Sequence, residues 1–157
     1  MYSIFSGEFL TPQWTGPDPT GTVFTASRTP AQVTIRPDHI HNANIPPDQR
    51  STANWFDVSA FAAPAQGRFG TAAKGVIKGP GSEVVNAGLA KRFSIGERAR
   101  IRWEITATNL FNTPNYTNPN TNITSAGAVG VITDAGGELD LDAAGPRAFR
   151  TGLRIEW

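Results

Sequence analysis

The chain has 157 residues, which is enough for one domain with a hydrophobic core and too few for two domains of comfortable size. Its 14 Lys and Arg residues nearly balance its 13 Asp and Glu residues, so its charge gives no reason to expect nucleic acid as a partner. Because the sequence contains no cysteine, disulfide bonds, thiolate metal sites and cysteine nucleophiles are excluded.

Four segments are predicted to be β-strands: residues 2–10, 84–95, 98–111 and 147–157. In the last three segments apolar residues occupy mainly odd positions and polar residues even ones, the alternation typical of a strand with one apolar and one polar face. All 12 prolines lie outside the four segments, as expected because proline cannot donate to a strand ladder. The pattern predicts an all-β, antiparallel fold.

The connections between these strands differ greatly in length. Only Gly96 and Glu97 separate the second and third strands, which predicts a tight hairpin turn. The other two connections, residues 11–82 and 112–146, are long and rich in Pro, Gly, Asn and Thr. Such loops are unusual in a compact soluble domain, but outer-membrane β-barrels alternate short periplasmic turns with long extracellular loops. We therefore predict strands of a transmembrane β-barrel, with a soluble antiparallel β domain as the alternative.

In a barrel of this kind the polar face of each strand would line the lumen. The charged side chains on this face could contact a substrate or a plug. Alternatively, they could form a solvated wall in which they pair with one another. The candidate lumen-facing residues are Arg98, Arg100, Arg102, Glu104, Arg150, Arg154 and Glu156.

The last seven residues, TGLRIEW, resemble the C-terminal signal of bacterial outer-membrane barrels. That signal has a polar residue, a glycine, two variable positions, an apolar residue, another variable position and a terminal aromatic. The resemblance implies that the β-barrel assembly machinery pairs with this strand, since an unpaired strand edge is a template for another strand. The residues assigned to the signal are Thr151, Gly152, Leu153, Ile155 and Trp157.

A wider resemblance covers nearly the whole chain. A characteristic series of short motifs, in the same order, is similar to the C-terminal region of TonB-dependent receptors, closest to the large Oar-like receptors of acidobacteria. These motifs are Trp55-Phe56, Ala60-Phe61, Gly67 to Gly70, Ile77 to Gly81, Asn109 to Asn115 and Pro146-Arg147.

The resemblance implies a 22-stranded barrel that carries a plug and imports an extracellular ligand with energy from the inner membrane. Four strands are too few to close, because small closed barrels need about eight. We therefore expect a C-terminal fragment of a receptor in the bacterial outer membrane, with Met1 as an internal start. The TonB system would act through the missing N-terminal plug region. We expect no catalytic activity and no cofactor.

Three aromatic residues of the first long loop, Trp14, Trp55 and Phe56, are candidate ligand contacts, although they could equally pack the loop onto itself. They also suggest an alternative function for the chain, that of a secreted soluble β module that binds carbohydrate through these loop aromatics. A metal site at His39 and His41 would need a third ligand, for which Asp38 and Asp48 are near in sequence. Because the loop is Pro-rich and the chain has no second His-rich segment, both histidines are interpreted as ordinary loop residues. The acidic run 134–142 lacks the spacing of a calcium loop and is interpreted as a solvated loop.

Overall fold

The computed structural model describes residues 1–96, 98–136 and 145–157. Every strand pairing among these residues is antiparallel, and the described helices are two single 3₁₀ turns, Pro47–Gln49 and Val58–Ala60. The all-β, antiparallel prediction is therefore confirmed. The strands are β1 (Tyr2–Phe5), β2 (Phe9–Leu10), β3 (Trp14–Pro17), β4 (Gln32–Ile35), β5 (Asp38–His39), β6 (Phe61–Ala62), β7 (Ile77–Lys78), β8 (Ser82–Val85), β9 (Ala87–Ile95), β10 (Ala99–Thr108) and β11 (Ala148–Glu156).

The chain divides into two compact units. We call the first the sheet unit; it comprises Met1–Ser6, Gly81–Thr117 and Asp134–Trp157. The second, the loop unit, comprises Gly7–Pro80 and Asn118–Thr133. None of the described helices has the length and the apolar composition of a membrane-spanning helix.

The sheet unit is built on a three-stranded antiparallel sheet in the order β11-β10-β9. Residues directly opposite each other in antiparallel strands share a face, and the register aligns odd positions with odd and even with even. Trp103 lies opposite Lys91 and Leu153, whereas Arg102 lies opposite Arg92 and Arg154. The odd positions of all three strands therefore share one face of the sheet and the even positions share the other, and the two faces differ chemically.

The odd-numbered face is apolar and exposed. Its large apolar side chains would normally be covered by a second layer in a water-soluble sheet, but here they remain accessible. The exposed members of this apolar face are Leu89, Phe93, Ile95, Trp103, Phe149, Leu153 and Ile155.

The predicted first strand, residues 2–10, is two strands in the structure. β1 pairs with β8 and β2 pairs with β7, so the two halves belong to different units. The chain turns at Gly7, whose φ is +85°; a Cβ there would lie 2.5 Å from the Gly79 carbonyl oxygen. Only glycine tolerates this conformation and this close approach at no steric cost.

The other predicted strands have different limits in the structure. The segment 84–95 is interrupted at Asn86, between β8 and β9. β10 ends at Thr108 because Asn109 has a left-handed backbone, with φ of 46°. Residues 96–98 connect β9 to β10, and the predicted turn residue Glu97 lies outside the described residues.

The predicted loop 11–82 does not form one irregular connection. Strands β3 to β7 lie within it, and most of it belongs to the loop unit, which has its own hydrophobic core. Phe56 and Ile77 are fully buried there, and Phe56 meets Phe61 edge to face with ring centroids 6.1 Å apart. The long connection is therefore an ordered part of the structure, because buried apolar side chains stabilise this segment although its strands are short.

The second long connection contributes to the same core. Ile123 and Val129 pack against it. Backbone hydrogen bonds join the two segments: Trp55 N–H donates to the Gly130 carbonyl at 3.0 Å, and Ile132 N–H donates to the Thr52 carbonyl at 2.7 Å. The loop unit is therefore one body made from two stretches of sequence.

Candidate functional site: the arginine face of the sheet

The even-numbered face of the sheet carries five arginines and two glutamates among its described residues. We call it the arginine face. Its charged members are Arg92, Arg100, Arg102, Glu104, Arg150, Arg154 and Glu156. Arg98 precedes β10 in the turn and stands outside the strand ladder, so the structure does not bring it into this row-by-row arrangement.

Three arginines form one row across the sheet. Arg102 lies on the central strand and is directly opposite Arg92 on one side and Arg154 on the other. Like charges directly opposite each other destabilise a sheet. An all-arginine row is therefore better explained by a requirement for positive charge than by sheet stability.

The two glutamates compensate this row only in part. Arg102 forms an ion pair with Glu104, and Arg154 Nε lies 3.0 Å from Glu156 Oε1. Arg92, Arg100 and Arg150 form no ion pair with any described residue. The face therefore keeps an excess of positive charge.

A cavity of about 330 Å³ lies beside the arginine row, at the neighbouring row of Ser94, Arg100 and Glu156. Arg92, Arg100, Arg102 and Glu156 line it, together with Ser94. Arg102 Nε is buried and has no hydrogen-bond partner among the described residues. Guanidinium groups are suited to carboxylate and phosphate oxygens, so this arrangement can hold or guide anions.

Arg92 and Ser94 were missing from the predicted lumen-facing set. Their even positions in the alternating segment 84–95 were the available signal. What the sequence lacked was the register, which sets Arg92 beside Arg102 and Ser94 beside Arg100.

The apolar face contains one charged exception and one internal hydrogen bond. Lys91 lies on this face, opposite Trp103. The Trp103 indole Nε1–H donates to Thr151 Oγ1 at 2.9 Å, and the Thr151 hydroxyl in turn donates to the Glu104 carbonyl at 3.1 Å. Thr151, predicted as the polar residue of the assembly signal, therefore also anchors β11 to β10.

The other residues of the predicted assembly signal lie on or after β11. Leu153 and Ile155 are exposed on the apolar face, and Gly152 is opposite Glu104. Trp157 follows the strand and is 95% exposed. The end of β11 thus presents an uncovered aromatic side chain.

The loop aromatics make mainly internal contacts. Phe56 is fully buried, which favours packing of the loop onto itself over contact with a ligand: its ring fills the core of the loop unit. Trp55 is half-buried and donates Nε1–H to the Lys78 carbonyl at 2.9 Å, with the Arg50 guanidinium 5.5 Å from its ring. Trp14 is half-buried against Gly16, where a Cβ would collide with the indole.

The two histidines have separate partners. His41 Nε2 lies 2.9 Å from Asp57 Oδ2, while the His39 ring stacks on Phe61 with centroids 5.3 Å apart. Hydrogen bonds from Ser59 and from His41 lower the pKa of the Asp57 carboxyl. Among the described residues, no three His, Cys, Asp or Glu side chains cluster as metal ligands would. Most of the acidic run 134–142 lies outside the described residues, which resume at Gly145.

Comparison with known proteins gives one family. The family described as "Outer membrane beta barrel domain" matches residues 1–149. No curated protein and no solved structure matches the chain. The match spans the sheet unit's strands up to the start of β11 as well as the loop unit, and it places the protein in the bacterial outer membrane. By this match and by its antiparallel all-β fold, the chain belongs to the outer membrane beta barrel domain family.

Proposed function

We propose that the chain forms part of the barrel wall of a TonB-dependent receptor of the Oar-like type. The observation that carries the proposal is the separation of the two faces across three strands in continuous register. In an outer-membrane barrel the apolar face contacts lipid and the polar face lines the lumen. The arginine face would then line the path of the imported ligand or contact a plug.

The proposed contribution is to passage and assembly rather than to catalysis. The chain supplies barrel wall, extracellular loops and the C-terminal signal for the β-barrel assembly machinery. In the described residues the sheet is three strands wide, whereas a closed barrel needs about eight or more. Further strands and the plug that contacts the TonB system would come from the rest of the receptor.

The alternative function, a secreted soluble module that binds carbohydrate through loop aromatics, has lost its support. The chain belongs to an outer-membrane family, and Phe56 is buried in the core.

Cysteine scanning in native membranes tests the proposed orientation of the faces. The chain has no cysteine of its own, so each introduced thiol can be followed alone. Ser94→Cys and Thr106→Cys lie on even positions, and Leu153→Cys and Ile155→Cys lie on odd ones. We expect a water-soluble maleimide to label the first pair and a lipid-dissolved probe to label the second. Equal labelling of both pairs by the water-soluble reagent would contradict the proposal.

The coding sequence upstream of Met1 tests the receptor type. A reading frame that continues upstream through more alternating strands and a plug domain would support a TonB-dependent receptor. An in-frame stop immediately upstream would contradict it, while leaving the labelling result and the membrane family intact.

A further inference from the structure

A second cavity, of about 360 Å³, lies within the loop unit. Its lining combines two cations, an aromatic ring, an aliphatic side chain and polar groups. Such a mixture of apolar wall and few polar groups is typical of small-molecule sites. The lining includes Gln13, Ile35, Arg36, Phe69, Gly70 and Lys74.

The two cations of this cavity lack a counter-charge among the residues that the structure describes. Arg36 and Lys74 are both exposed, and neither forms an ion pair with any described residue. By contrast, the nearby Arg68 is engaged by Asp38 through two contacts of 2.6 and 2.7 Å. The cavity therefore offers two uncompensated positive charges to a ligand.

The aromatic ring of the cavity, Phe69, is exposed on a backbone whose position is fixed by its neighbours. Phe69 is 68% exposed, although its neighbours on both sides are anchored. Arg68 is bound by Asp38, whose carboxylate also accepts the Thr71 N–H at 3.1 Å. Gly70 passes so close to Pro37 that a Cβ would lie 2.4 Å from the Pro37 carbonyl oxygen. An exposed ring on an anchored loop loses little conformational entropy on binding.

Gln13 supplies an uncommitted hydrogen-bonding group. Its backbone is fixed, since its N–H donates to the Thr121 carbonyl at 3.0 Å and its carbonyl accepts the Ile123 N–H at 2.9 Å. Its side-chain amide has no hydrogen-bond partner among the described residues. The amide could therefore bind a hydroxyl or carbonyl of a ligand.

We propose that this cavity binds a small carboxylate carried on a ring, with the carboxylate on Arg36 or Lys74 and the ring against Phe69. A sugar acid and an aromatic acid share this chemistry. The inference rests on the proposed function in one respect, namely that the bound ligand would be a candidate for import. Binding itself is tested without measuring transport.

The test is calorimetric titration of the full receptor in detergent micelles. D-glucuronate represents the sugar acids and phenylacetate the aromatic acids, with D-glucose, phenylacetamide and acetate as controls. We expect saturable binding of one ring carboxylate, at least about tenfold tighter than its neutral counterpart and than acetate, since charge-assisted hydrogen bonds are strong. Which acid binds identifies the class. If neither binds, or if the neutral compounds bind equally well, the inference is overturned.

Paired variants assign the binding to this cavity. The double variant Arg36→Gln/Lys74→Gln should weaken binding at least about tenfold, and Phe69→Ala should weaken it as well. Arg28→Gln is the matched control, because Arg28 is an exposed arginine of the same unit that does not line the cavity. Equal affinities for the double variant and the control would overturn the inference. The cysteine labelling of the sheet faces is independent of either result.

Discussion

Replacing Leu153 by arginine tests the assignment of the apolar face to lipid. Leu153 is 64% exposed and lies opposite Trp103. It is one residue beyond the centre of β11, a strand of nine residues. At a rise of about 3.3 Å per residue and a tilt of roughly 40°, this places it about 2.5 Å from the strand midpoint along the membrane normal.

A charge at that depth has a defined energetic cost. Arginine on the lipid face of a barrel destabilises by about 2–4 kcal/mol at the midplane and by about 0–1 kcal/mol near the interfaces. From its position, Leu153→Arg should fall in the higher range. Arg154→Gln is the matched control, because Arg154 is the next residue but lies on the arginine face. Its exposed ion pair with Glu156 should contribute less than about 1 kcal/mol.

Denaturant unfolding of the full receptor in lipid vesicles, followed by tryptophan fluorescence, measures both changes. The reasoning requires a large loss of unfolding free energy for Leu153→Arg and a small one for Arg154→Gln. Equal losses for the two variants, or a larger loss for Arg154→Gln, would show that the faces are assigned wrongly.

Four further changes have defined outcomes. Lys91→Leu should stabilise the vesicle-bound protein by about 2 kcal/mol, because it removes a charge from the centre of the apolar face; an unchanged denaturation midpoint would contradict this. Phe56→Ala should cost about 3–5 kcal/mol in the same assay, since Phe56 is fully buried. Burial opposes ionisation of Asp18, but hydrogen bonds from Thr20, and then from the backbone of Val23 and Thr22, outweigh it and hold its pKa well below the usual value. Asp18 therefore contributes stability above about pH 4 that is lost as the pH falls further towards its lowered pKa, and Asp18→Asn should flatten that part of a pH–stability curve. Trp157→Ala in the full receptor should reduce the amount recovered in the outer-membrane fraction, whereas Phe111→Ala, which also removes an exposed aromatic, should not.

The sheet was predictable from the sequence because its information is local. Side chains alternate with period two along a strand, so Ile101, Trp103 and Ile105 identify one face of β10 without any knowledge of its neighbours. The register between strands, by contrast, could not be predicted from any single segment of the sequence. The row of Arg92, Arg102 and Arg154 depends on how three strands align, and a shift by one residue would destroy it.

The strands and the core of the loop unit could not be predicted from the sequence, for a different reason. Its strands have two to four residues, too few for an alternation to be recognised. Its core brings together residues far apart in sequence, such as Phe56, Ile77 and Val129. The same distance explains why the role of Phe56 stayed open, because a single aromatic in a Pro- and Gly-rich segment does not reveal its packing partners.

The two-piece construction of the loop unit sets an order of events during biogenesis. Gly7–Pro80 and Asn118–Thr133 are separated by the residues that form β8, β9 and β10. Ile123 and Val129 complete the core, so the unit cannot reach its final packing until the later stretch has emerged. Closing such a separation carries an entropic cost before any contact repays it. The β9–β10 hairpin, whose pairing is local, should therefore form first, and the loop unit should acquire protease resistance only afterwards.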